Sequence, residues 1–106
     1  MLVFDEVDAG IGGEAALAVG RSLAQLGADH QVLVVTHLPQ VAAFADQQVH
    51  VHKQVSGGTT VATASPLGAA ERVVELSRML SGTPESERMQ GAASELLALA
   101  ARERGR

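Results

Sequence analysis

Hydrophobic residues open the chain as a block, Met1-Leu-Val-Phe4, and the acidic stretch Asp5-Glu6-Val7-Asp8 follows at once. A short apolar run without alternation predicts a buried strand whose carboxyl end is Asp5. Gly10-Ile-Gly-Gly13 is a turn-forming cluster. Residues 14–26 carry an alanine-rich helical pattern, with Gly27 as its stop. Gln31-Val-Leu-Val-Val-Thr36 is a second unalternated apolar run, which favours a parallel sheet covered on both faces. After His37 and Leu38, Pro39 is a good first helical residue, and the pattern predicts a short helix to about Ala45.

The pattern then changes period. Residues 48–55 alternate, with Val49, Val51 and Val55 on one face and His50, His52 and Gln54 on a polar outer face. Ser56-Gly-Gly58 turns the chain into residues 59–65, which completes a β-hairpin ended by Pro66. Residues 69–80 place Val73, Leu76 and Leu80 at helical spacing before Gly82. Thr83 and Pro84 suit the cap and first turn of a last helix, whose stripe Met89, Ala93, Leu96, Leu97 and Ala100 reads as core. Residues 102–106 read as a frayed, solvated tail. The organisation is α/β over 1–47, a hairpin over 48–65 and helices over 66–106, without an internal repeat or a long linker.

Composition narrows the class. At 106 residues, 46% hydrophobic and with only two aromatics, Phe4 and Phe44, the chain suits one domain with a thin core of small side chains. The absence of cysteine excludes a disulfide scaffold and a thiol nucleophile. No apolar run approaches a membrane span, and acids stand where a signal peptide carries basic residues, so the expected location is the cytoplasm. The net charge of -4 arises in residues 1–70, where six acidic side chains face only Arg21 and Lys53, and no basic face suited to nucleic acid is evident.

Two adjacent carboxylates at the end of an apolar strand are the strongest local feature. In open α/β sheets ligands bind outside the carboxyl ends of the strands. Successive strand residues point oppositely, so Asp5 and Glu6 would have two different roles, one toward hydrated Mg²⁺ and one toward an attacking water. The bland alternative is that they solvate a loop. The next strand also ends in a polar pair, Thr36-His37, whose imidazole could bond a terminal phosphate or simply cap a loop.

Together, Leu2-Val-Phe-Asp-Glu-Val-Asp-Ala-Gly-Ile-Gly-Gly13 and Val32-Leu-Val-Val-Thr-His-Leu-Pro-Gln-Val-Ala-Ala-Phe-Ala45 resemble the Walker B and switch-histidine segments of ABC/SMC-type ATPases, most nearly their RecN-like branch. The 59–61 hairpin strand, Glu71-Arg-Val-Val-Glu-Leu-Ser-Arg-Met-Leu-Ser-Gly82 and the closing helix extend the resemblance over essentially the whole chain. It implies the C-terminal part of a P-loop NTPase head, an incomplete parallel sheet with helices, a hairpin and C-terminal helices. By position, Asp5 would be the magnesium-side carboxylate, Glu6 the catalytic base and His37 the γ-phosphate switch. Asp8, Gly10, Gly12 and Gly13 would lie in the loop facing a second head, and Gln40 would lie near the nucleotide. Gly12 departs from the pattern, because many family members carry an aspartate there.

The resemblance also implies what is missing. The sequence has no G-x-x-x-x-G-K-[S/T] phosphate loop, and its only lysine is Lys53. ATP and Mg²⁺ would therefore bind in a head completed by an N-terminal half, sandwiched against a second head, with DNA engaged through the complete, nucleoid-associated protein and no membrane involved. The family's sheet order would place the phosphate-loop strand between strands 31–36 and 48–55, leaving two unpaired edges in the isolated chain.

Other readings remain open. Gly10-Ile-Gly-Gly-Glu-Ala15 also fits the G-x-G-x-x-A fingerprint of dinucleotide-binding proteins. His50 and His52, with His30 or His37, could bind zinc. Arg102, Arg104 and Arg106 could touch nucleic acid, and the chain could be a non-catalytic remnant that docks on intact heads.

Overall fold

The computed structural model describes residues 1–5, 12–82 and 86–106. Strand β1 (Leu2–Asp5) pairs in parallel with β2 (Val32–Val35) through helix α1 (Gly13–Gly27), with Leu2 opposite Val32 and Asp5 opposite Val35. The Leu2 amide donates to the Gln31 carbonyl at 2.8 Å, fixing the start of this register. The single-turn α2 (Pro39–Ala42) follows, with Pro39 in its first turn as expected. Strands β3 (Val49–Ser56) and β4 (Thr59–Pro66) form an antiparallel hairpin, and α3 (Ala69–Ser81) and α4 (Glu87–Arg104) close the chain.

The hairpin turn is legible in the sequence. Ser56 pairs with Thr59, so the loop is two residues long, and both Gly57 and Gly58 have positive φ (55° and 81°). Only such residues give a two-residue turn the twist of its flanking strands. Helix α3 begins where the Glu71 carboxylate accepts from the Gly68 amide at 3.0 Å, and it ends before Gly82.

The core lies among the helices. Ala24, Ala42, Ala43, Phe44, Leu76, Ala93 and Ala100 form one buried cluster, with Leu17, Val73, Met79, Leu80, Leu96 and Leu97 packed against it. The expected stripes on α3 and α4 are therefore core, apart from Met89, which the cluster does not include. Five of the seven buried members are alanine, and Leu76 is the largest fully buried apolar side chain.

Four expectations change. The β1–β2 sheet is covered on one face only: Phe4 faces Ala18, Val19 and Leu23 of α1, while Val3, Leu33 and Val35 are exposed on the other side, where no described element packs. The hairpin presents Val49, Val51 and Val55 to solvent, so the expected valine face is not buried, and of the polar face only His50 is drawn toward the body, at Glu75 of α3 (Nε2–Oε2 3.7 Å). Thr83 and Pro84 lie outside the described residues, and α4 is capped by Ser86, whose Oγ accepts from the Met89 amide at 3.3 Å. Finally, residues 102–104 are helical and Arg104 and Arg106 bond back to the body of the chain, so this end is not a solvated tail.

Candidate functional site

Parallel pairing of β1 and β2 sets the geometry. Because Asp5 stands opposite Val35, the carboxyl ends of both strands open at the same sheet edge, and Thr36 and His37 leave β2 just beyond Asp5. Asp5 lies on the same sheet face as Val3, Leu33 and Val35, and it is exposed. His37 is also exposed, and among the described residues no side chain bonds its imidazole. Local chemistry shapes the exit from β2: Thr36 Oγ1 accepts from the Leu38 amide at 3.0 Å, bending the chain into Pro39.

Gly12 caps α1 in extended conformation, its carbonyl accepting from the Ala16 amide at 2.9 Å, and Gly13 begins the helix. A methyl group at either glycine would meet no atom of the described residues within 4 Å. Gln40 lies half-buried on α2. Glu6, Asp8 and Gly10 fall outside the described residues. Of the candidate residues, the fold thus gathers Asp5 and His37 at one sheet edge and sets Gly12 and Gly13 at the head of the connecting helix.

How α2 is held was not foreseen from the sequence. Gly20 of α1 approaches it so closely that a β-carbon there would lie 2.6 Å from Phe44 Cδ2 and 2.9 Å from the Gln40 carbonyl oxygen. An interior helical glycine is the signal that could have revealed this approach. On the other side, Arg72 of α3 donates from Nη2 to the carbonyls of Ala42 (3.2 Å), Ala43 (3.5 Å) and Ala45 (3.1 Å), and from Nε to Gln48 Oε1 (3.2 Å). Arg104 of α4 donates from Nη1 to the carbonyls of Phe44 (3.2 Å) and Ala45 (3.0 Å). Arg106 grips Asp46 with two bonds of 2.8 Å. Nothing in the helical pattern around Arg72 separates it from an ordinary surface arginine.

The electrostatics follow from these contacts. Desolvation, then the neighbouring Arg104 charge, lowers the pKa of Arg72 from its ordinary value. The bonds from Arg106 pull the Asp46 carboxyl below the usual range, and the Arg21 guanidinium does the same to Glu103.

The chemistry of Asp5 fits magnesium: an exposed hard-oxygen donor, where Mg²⁺ commonly takes one or two carboxylates and fills its shell with water and phosphate oxygens. A zinc centre on the hairpin gains no such support. The His50 and His52 rings are 6.3 Å apart, and among the described residues no group of three His, Cys, Asp or Glu side chains could hold a metal. Gly10 and Ile11 of the dinucleotide-type fingerprint lie outside the described residues. No described helix is long and apolar enough to cross a membrane.

No family model matches the chain. It is similar to curated proteins named DNA repair protein RecN: 54% identical over 102 residues to that of Streptomyces coelicolor, covering 96% of this chain and 18% of the relative. It is 54% identical over 97 residues to the Deinococcus radiodurans protein, covering 92% and 17%, and 51% identical over 96 residues to the Mycobacterium tuberculosis protein, covering 91% and 16%. The chain therefore spans less than a fifth of the length of these relatives.

Proposed function

We propose, from the premise that this chain belongs to the RecN family as a carboxyl-terminal segment, that it supplies the hydrolytic edge of an ATPase head acting in recombinational repair of DNA double-strand breaks. The observation that carries this reading is the convergence of Asp5 and the exit to His37 at the carboxyl ends of two adjacent parallel strands. In this reading Asp5 holds the magnesium side of the nucleotide, Glu6 accepts a proton from the attacking water, and His37 donates a hydrogen bond to the terminal phosphate. Magnesium, when bound, neutralises phosphate charge and draws the phosphate oxygens into a fixed arrangement. Asp8, Gly10, Gly12, Gly13 and Gln40 flank the nucleotide and the second head across it.

The phosphate loop, and the strand that carries it, come from the remainder of the polypeptide. That strand inserts beside β2, whose outer edge has no strand partner among the described residues, and adjoins β3, which belongs to a separate sheet. DNA is engaged by the complete, cytoplasmic protein.

The test is Glu6→Gln in the complete polypeptide. Removing the base is expected to lower ATP turnover by at least about 100-fold, the scale of a lost general base, while nucleotide still binds and holds two heads together in gel filtration. Unchanged turnover would overturn the assignment.

A further inference from the structure

We infer that Arg72 and Arg104 are positioning residues for the His37–Gln40 segment, a role that deepens the reading above and rests on it. Helix α2 is only one turn long. A single helical turn is marginal by itself, because nucleation fixes several backbone torsions for each hydrogen bond gained, and its last carbonyls have no partners within the helix. Here the chain leaves α2 through a buried stretch: Ala43 is fully buried and Phe44 nearly so, and of the carbonyls from Ala42 to Ala45 that of Ala42 also accepts from the Ala45 amide at 3.1 Å. Carbonyls in such a place need donors.

Two guanidinium groups supply them. Arg72 and Arg104 together reach every carbonyl from Ala42 to Ala45. Each arrives from a helix distant in sequence, and α3 and α4 pack against each other, so the carbonyls are fixed to a shared framework. Cationic donors at the carboxyl end of a helical turn also complement its dipole. Opposite this grip, Gly20 of α1 meets the Gln40 carbonyl. The turn is thus held from both sides. Pro39 at its head is buried, with its φ restricted by the ring, and His37 stands two residues upstream.

The choice of residue is informative. Arg72 is half-buried and bonds carbonyls and Gln48, with no carboxylate among its bonded partners, and it lies near a second cation. A merely space-filling side chain would avoid that desolvation. Multiple rigid N–H donors aimed at successive carbonyls are what a guanidinium provides and a lysine does not. The consequence is mechanistic: loosening the arginines should displace His37 without removing any group that touches nucleotide.

The experiment uses the complete polypeptide and compares Arg72→Gln, Arg104→Gln and Arg104→Lys with Arg21→Gln, which breaks only the exposed Arg21–Glu103 pair joining α1 to α4. Turnover, KM for ATP and amide exchange of the peptide 37–46 are measured. For the two glutamine variants, kcat is expected to fall about tenfold with KM within about twofold, the signature of lost alignment. Exchange should rise in 37–46 while the rest of the head keeps its protection. Arg104→Lys should recover part of kcat, and Arg21→Gln should change neither readout. Unchanged kcat in both glutamine variants, unchanged exchange in 37–46, or a loss of protection spread over the whole head would each overturn the inference. If instead His37→Ala and Glu6→Gln both turn over ATP normally, the functional reading falls and the inference with it. If those two are inactive and the arginine variants are not, only the inference falls.

Discussion

Leu76 on α3 is fully buried, whereas Val51 and Val55 on the hairpin just before it are 60% and 77% exposed. The same contrast separates the two halves of the fold more generally. The helices close a small core around Ala24, Ala43, Phe44, Ala93 and Ala100, but the sheets leave Val3, Leu33, Val35, Val49 and Val61 in solvent. Apolar strand faces of this kind are ordinarily covered by a second layer, so the helical part is internally satisfied and the strands are incomplete. On the proposed reading, further polypeptide would add structure at the sheets, beside the candidate site, and not at the helical pair.

Four substitutions test that contrast. The largest effect is expected for Leu76→Ala, which empties the centre of the helical core and should cost about 2–5 kcal/mol, whereas Val51→Ala should remain within about 0.5 kcal/mol in this chain. Denaturant unfolding of the two variants measures both, and a comparable loss at Val51 would mean that the hairpin is covered after all. Gly20→Ala comes next. Added helix propensity of about 1 kcal/mol is opposed by overpacking of about 1–3 kcal/mol, and a backbone oxygen at 2.9 Å cannot yield without moving α2. A net loss of midpoint stability is expected, and a stabilised variant would show that α2 shifts freely.

The smallest effect concerns Asp46. Its folded pKa is lowered, chiefly by the Arg106 bonds, so their stabilisation is complete above the unfolded carboxyl value of about 3.9. That stabilisation is lost as pH falls through the lower folded value. With the Asp46 side chain 54% exposed, the contribution is modest. Asp46→Asn should flatten the acid limb of a stability–pH curve while changing neutral-pH stability little, and an unaltered acid limb would remove Asp46 from the network.

Much of the fold was legible because local chemistry dictated it. Two positive-φ glycines between alternating strands could hardly do other than turn a hairpin, and α3 follows its apolar spacing from Ala69 to Ser81. The β1–α1–β2 unit was readable for the same reason, and with it the shared sheet edge of Asp5 and His37. Hydrophobic alternation misled where it had to substitute for knowledge of a partner layer: it identifies the two faces of β3, but the valine face it marks for burial is exposed.

By itself, then, the sequence determined the order and type of the elements, the membership in a repair family and the pairing of acidic and histidine-bearing strand ends, since propensity, turn chemistry and motif spacing are all local properties. Only the tertiary structure decided that Arg72 and Arg104 leave their helices to cap the carbonyls of residues 42–45, and that Gly20 admits α2 against α1. Both depend on which surfaces meet across 20 to 60 positions of chain. A guanidinium that bonds distant backbone and one that points into water are the same letter until those surfaces are brought together.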